Sequence, residues 1–444
     1  MLARLKIIWV FRMTLSFMAA AGFFGISSAL AFMINLEGVV ETPSALYAST
    51  PDGHLVRVLE AGASAPTGGT ISEIGVPAVA PDGSLIFGAE VSVQDKVGWQ
   101  IFRADPNGRN GVRIERVLED SQMPRGCRPV LKTDPYVVAG SDGSIVFIAN
   151  EEHGKSALFR YAKGRIDCEI RVGDQTAEGH VIANLGFGSA QVAENGATVF
   201  HASLAGSQGA ASRHDTRNAI LLAIPGAAAT EIAVEGKRTE DGQRFGAHFG
   251  LPAVSTASGS LLIAFTNNGT SGSSLFIGRP NELLRTLGAG SPTQAGPVTF
   301  LSDRRPSLAE NGSVAIRAAS GEHCLILLIR AGEPFLVSRE GDKTGDGQIL
   351  EGLGDPVRIV SGSVYAEAFD QHEGDRVYSF ASDGSGAGGS RTPTVLSSSI
   401  EVFQASLTAN RSGRYAFLAR SREKDPLPTA APKAPSIGGS GPSI

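Results

Sequence analysis

A turn glycine followed by a short apolar stretch recurs seven times, as Gly83 (PDGSLIF), Gly143 (SDGSIVF), Gly196 (ENGATVF), Gly259 (ASGSLLI), Gly312 (ENGSVAI), Gly362 (VSGSVYA) and Gly413 (RSGRYAF). The intervals are 60, 53, 63, 53, 50 and 51 residues. Self-similarity at such a period marks an array of one supersecondary unit, each copy too small to bury its apolar face alone. Asp-Gly and Asn-Gly between apolar runs signal hairpins: a type I′ turn needs positive φ, which glycine adopts without strain. A tight turn of that type is therefore expected at each copy.

Two and four residues past the glycines stand mostly apolar residues, such as Leu85 and Phe87 or Ile145 and Phe147, so one strand face is apolar. The alternate position holds Ile86, Val146, Val199, Leu262, Ala315, Tyr365 and Ala416. A strand apolar on both faces is covered from both sides. A third strand follows in the first six units, for example at residues 99–102, 157–159 and 325–327, then a second turn and a fourth strand, as at 166–172 and 334–337. Four antiparallel strands per unit describe a propeller blade.

The seventh unit stops after its second strand, residues 415–420, while residues 45–47 and 55–59, joined by a Pro51, Asp52, Gly53 turn, read as a third and fourth strand with nothing before them. Two half-units make one. The expected fold is all-β, a seven-bladed β-propeller over residues 44–420, closed by N- and C-terminal strands sharing one blade so that no sheet edge is left open. Two adjacent β-sandwiches would explain the strands but neither the even spacing nor the complementary halves. A β-solenoid has much shorter coils.

The residues before the ring carry Arg4, Lys6 and Arg12, then an apolar run closing in Ala29, Leu30 and Ala31. A charged start, an apolar stretch and a small-x-small site form a secretory signal peptide. Residues 1–31 are therefore expected to be removed, leaving 32–43 as a linker and placing the protein outside the cell or in the periplasm or cell envelope. The alternative is an uncleaved anchor tethering it to the membrane, since residues 13–32 could just span a bilayer. Residues 421–444, dominated by Pro, Ala, Ser and Gly, read as a disordered tail. Cys127, Cys168 and Cys324 are too few for a disulfide framework; a Cys127–Cys168 bridge and three inert buried thiols both remain open.

With 39 Lys+Arg against 44 Asp+Glu, no basic surface for nucleic acid is expected. The sequence has no G-x-S-x-G elbow, no P-loop and no G-x-G-x-x-G opening a helix. Residues 340–347 resemble a calcium loop only superficially: Thr344 takes the third ligand position and no Glu follows at the twelfth, so Asx-turns are expected there. No cofactor and no metal site is expected.

In a four-stranded blade the glycine turns lie on one face of the disc, with the two-to-three loops and the blade-to-blade connections on the other. Loops on a rigid scaffold most often carry function. The two-to-three loops hold Glu151, Glu152 and His153; His214 and Asp215; Asn267 and Asn268; Glu322 and His323; and Asp370, His372 and Glu373. Imidazole beside carboxylate can ligate a divalent ion or run acid–base chemistry. The candidate binding residues are accordingly Glu152, His153, His214, Asp215, Glu322, His323, Asp370 and His372.

Residues 410–417 (NRSGRYAF) resemble the N-x-x-G-x-x-A-F signature of a family of exported bacterial tandem-repeat proteins. The other six copies keep the glycine and the apolar strand but lack Asn three residues before it; at Asn195 and Asn311 it has moved next to the glycine. A second loose match is a Gly-Asp after the fourth strand, at Gly173 and Asp174 and at Gly341 and Asp342. The resemblance implies a surface or envelope propeller of unassigned activity and transfers no catalytic residue. The expectation is a monomeric, non-catalytic scaffold that binds a protein or envelope component through its long-loop face; the alternative is a metal-assisted hydrolase or lyase on the same face.

Overall fold

The structure, a computed structural model, describes residues 44–420 apart from 95, 107–111, 119–127, 132–135, 152–153, 207–215, 258, 270–271, 346, 361–362, 371–374, 382–392, 397–400, 403–406 and 411. The expected signal peptide, linker and tail, Cys127 and Gly362 lie outside the described residues. Every helix or strand among the described residues is a strand.

In blade one an innermost strand, broken into Thr70–Ile74 and Ala78–Val79, pairs with Leu85–Val93, which pairs with Lys96–Asp105 and then Arg113–Arg116, all antiparallel. The same order repeats in blades two to five, whose second strands are Ile145–Glu151, Thr198–Ala205, Ser260–Gly269 and Val314–Ser320. In blade six the innermost strand is unbroken, Leu350–Val360, followed by Ser363–Asp370, Asp375–Ala381 and the short Thr394–Val395. Blade seven takes Tyr415–Arg420 as its second strand and Ser44–Ser49 and Leu55–Glu60 as its third and fourth. Tyr47 stands opposite Phe417, and Ala45 opposite Ala419. The two half-units do form one blade.

Packing shows the closure a second way. Successive residues of a second strand feed different core layers: Ile145, Phe147 and Ala149 pack with blade one through Ile86 and Ile101, whereas Val146 and Ile148 pack with blade three through Phe200 and Leu221. This is why both strand faces read as apolar. There are seven such layers among the described residues, one at each seam. An open row of seven blades has six seams. The seventh joins Ala416 and Leu418 to Ile71 and Leu85, blade seven to blade one.

The six described repeat glycines have φ between +78° and +84°. The turn, however, is not the expected type I′. In the first copy the Gly83 N–H donates to the Ala80 carbonyl (2.9 Å) and the Ala80 N–H to the Ser84 carbonyl (2.8 Å). Asp82 keeps a negative φ, leaving glycine as the one left-handed residue. That is a type I turn ending in a glycine bulge. The cause is the side chain before the glycine, since Asp82, Asp142, Asn195 and Asn311 each accept the N–H two residues on.

In the last copy Asn410 has a different role. Its Oδ1 accepts the Ser412 and Arg414 N–H groups (both 3.0 Å), and its Nδ2 donates to the Ala80 carbonyl of blade one (2.8 Å). The asparagine three residues before the glycine therefore sits at the closing seam. The Gly-Asp pairs also have a place. Gly173 donates to the Ile182 carbonyl, Ile182 back to Asp174, and Gly341 and Asp342 repeat this with Leu350, each directing the chain from one blade into the next.

Candidate functional site

The innermost strand of a propeller blade is an edge strand facing the axis, so proline is tolerated there and an unpaired N–H is not needed. Pro77, Pro252, Pro306 and Pro356 stand at equivalent places, six or seven residues ahead of their repeat glycines, and interrupt or distort the strand. The residue before each proline, Val76, Leu251, Arg305 or Asp355, lines one cavity on the ring's axis. This cavity has a volume of about 710 Å³ and takes lining residues from the innermost strands of all seven blades. Its wall includes Ser141, Glu194 and Ser412 of the glycine turns and no described residue of the two-to-three turns.

Most polar groups around it join neighbouring blades. Arg305, half-buried, donates to the carbonyls of Pro252 (3.0 Å), Ser189 (2.9 Å) and Ala190 (3.0 Å), linking blade five to blades four and three. Burial pulls its pKa down to about 10, which leaves it charged at neutral pH. Gln191 accepts the Val254 N–H (3.0 Å) and Glu194 that of Thr256. Arg317 pairs with Asp355 (3.2 Å), and Glu367 accepts the Leu407 N–H (2.8 Å). His201, half-buried at the seam of blades three and four, has its pKa lowered by desolvation, and its Nε2 meets the Gly250 carbonyl (2.8 Å).

Two arginines differ. The exposed Arg304 side chain has no hydrogen-bond partner among the described residues. Arg358 has its Nε buried without a partner. Desolvation lowers its pKa, while the Glu310 carboxylate acts the other way.

Of the eight residues expected on the long-loop face, Glu152, His153, His214, Asp215 and His372 lie outside the described residues. Glu322 and His323 are exposed at the tight turn joining Val314–Ser320 to His323–Arg330. Asp370 is fully buried, accepting the Tyr378 hydroxyl and pairing with Arg376 (3.3 Å). Glu151, beside Glu152, is buried and faces Arg171 at 3.5 Å. Among the described residues no three His, Cys, Asp or Glu stand together to hold a metal ion. Asp342, in the stretch that looks like a calcium loop, accepts the Arg339 N–H (2.9 Å) and the Ser338 hydroxyl (3.1 Å), bonds that reach three and four residues back and so brace the turn without forming the expected Asx-turn.

Sequence reasoning missed the axial residues and two imidazole–carboxylate pairs, His180 with Glu231 (2.5 Å) and His248 with Asp303 (3.4 Å). The partners stand 51 and 55 residues apart, about one blade period: His180 lies in the crossover into blade three and Glu231 on that blade's fourth strand, while His248 and Asp303 belong to the innermost segments of blades four and five. Pairing residues at the repeat interval is the signal that would have found them.

The fold and its cavity define the class, a seven-bladed β-propeller with a ligand-sized axial site. Residues 27–323 match a family described as of unknown function (DUF7453), and the chain belongs to it. No curated protein sequence matches the chain. Among solved structures it is similar to TolB from Acinetobacter baumannii, at 14% identity over 66% of this chain and 61% of that one, with a TM-score of 0.34. It is also similar to a puromycin-hydrolyzing peptidase from Mycobacterium tuberculosis (12% identity, 73% of this chain and 53% of that one, TM-score 0.38). A third is the acylaminoacyl peptidase of Pyrococcus horikoshii (9% identity, 74% and 46%, TM-score 0.43). The chain spans less than two thirds of the length of each.

Proposed function

We propose that the chain is an exported, monomeric binding propeller without catalytic machinery of its own, and that a protein or envelope component is engaged at the axial cavity. The observation carrying this reading is that the innermost strands of all seven blades line one cavity of about 710 Å³, within the ~300–1,000 Å³ of ordinary ligand sites. Seven packed seams hold the lining in place, as a pre-formed site needs. Asp355, Glu194 and Glu367 are committed to neighbouring blades, whereas a general acid or base needs its head group within reach of a reacting atom. Export rests on the signal pattern of residues 1–31, and the monomer on the closed ring, whose outer sheet edges are short strands such as the charged Arg113–Arg116.

The second reading is a metal-assisted hydrolase or lyase on the opposite face. It is favoured by the exposed juxtaposition of Glu322 and His323. The test is to express the full-length chain, determine its N-terminus and compartment, measure its metal content, and identify by mass spectrometry what it releases on denaturation after equilibration with an envelope extract. The binding reading expects a chain starting at Phe32 outside the cytoplasm, with a stoichiometric ligand that Arg304→Ala loses. A stoichiometric divalent ion lost in His323→Ala, with hydrolysis lost alongside it, would overturn that reading.

A further inference from the structure

The charge left uncommitted in the axial cavity is positive. The carboxylates of Asp355, Glu194 and Glu367 and the guanidinium of Arg305 are bonded to neighbouring blades. Arg304 and Arg358 are the exceptions: both line the cavity, one with its head in solvent and the other with a buried Nε lacking an acceptor. A buried charged donor without an acceptor is costly and calls for one. Glu310, the carboxylate acting on Arg358, is exposed on a turn.

Tyr136 supplies an aromatic face to the same site. It lines the same cavity, is 50% exposed, and has a φ of +43°. A bulky residue in the left-handed region is strained, and such strain gathers at ligand clamps. Its ring lies over Gly188, where an added Cβ would meet ring atoms at 3.4–3.6 Å. Tyr136 belongs to blade two, and Arg304 and Arg358 to blades five and six. In a circle of seven, blade two lies directly across the axis from the seam of five and six.

Resting on the reading of the cavity as a binding site, we propose that it takes a small ring-bearing organic anion. A carboxylate or phosphate would be held by Arg304 and Arg358, with a sugar or aromatic ring against Tyr136. Guanidinium groups suit both anions, forming paired charge-assisted hydrogen bonds, and an aromatic face suits the ring.

The test is calorimetric titration of the full-length chain at millimolar ligand. The acids are glucuronate, glucose 6-phosphate, benzoate and phenyl phosphate, with glucose and phenol as neutral counterparts; the four acids separate carboxylate from phosphate and sugar from aromatic. At least one acid should bind, with its neutral counterpart about tenfold weaker or worse, and Arg304→Gln should weaken the acid by about tenfold, the scale of a lost hydrogen bond to a charged group. Arg358→Gln should do the same, and Tyr136→Ala should weaken acid and neutral ring alike. Because Arg304 is exposed, its variant should keep the wild-type unfolding midpoint. Equal binding of acid and neutral ring, both lost in Tyr136→Ala, would overturn the anion assignment while leaving the binding reading intact. Acid binding unchanged in Arg304→Gln would also overturn it. Failure of every acid would end the proposal, and failure of the neutral rings as well would count against the cavity as a binding site.

Discussion

Replacing Phe417 with alanine measures whether the last seam is as complete as the others. Phe417 is fully buried, stacked on Tyr47 of the N-terminal strand (centroids 5.8 Å apart) and on Tyr415 (6.3 Å). Phe147 of blade two is the internal standard, equally buried and stacked on Phe159 at 5.5 Å. Truncating a buried phenylalanine costs about 3–5 kcal/mol, so a closed ring predicts that loss at both positions. If the N-terminal strand were not in place, Phe417 would lie on an edge strand without Tyr47. With roughly half its burial gone, the cost would fall to about 1–2 kcal/mol. Urea unfolding gives the stability, with amide exchange of residues 44–49 as a local readout because a ring of this size need not unfold in one step. A Phe147→Ala loss of about 3–5 kcal/mol beside a Phe417→Ala loss under about 1.5 kcal/mol would refute the reasoning.

Asn410→Ala removes the bond to Ala80 and leaves the Ser412 and Arg414 N–H groups without their acceptor; a loss of about 2–3 kcal/mol in the same unfolding experiment is expected. Arg160, which pairs with buried Glu169 and also donates to Gly196 and Thr198 of the next blade, should cost about 3–5 kcal/mol on mutation to alanine, and Arg160→Met with Glu169→Leu should recover most of it. Burial raises the Tyr415 pKa from its ordinary 10.0 to about 12. The folded state therefore holds this proton more tightly. Its contribution to stability is complete below pH 10 and is lost as pH rises toward 12. Burial raises Tyr365 as well, so ultraviolet titration should show tyrosine ionisation extending above the ordinary range, with the latest step removed by Tyr415→Phe.

The circle was legible because its signals are local and repeated. A glycine that must be left-handed and a second strand apolar on both faces need no knowledge of the rest of the chain, and the half-units at residues 44–60 and 415–420 followed from counting. The axial site was not legible in that way. Its strands are pieces as short as Ala78–Val79, interrupted by proline and by charged residues such as Arg305, so no period-two pattern survives. Asp370 reads as a loop acid, yet the strand runs through it and its carboxylate meets Tyr378 and Arg376. The two-to-three connections of blades one and five are two-residue turns, and much of the length on that side lies in the crossovers between blades.

The account depends most on the pairing of the first described strand with the last. Cysteines at Ala45 and Ala419, which stand opposite each other, in a chain whose three native cysteines are replaced by serine, test it directly. Under mild oxidation the account predicts one intramolecular disulfide, seen as a mass loss of two hydrogens and a linked peptide pair, with binding and folding preserved. Recovery of both thiols free, or of disulfides only between chains, would contradict it.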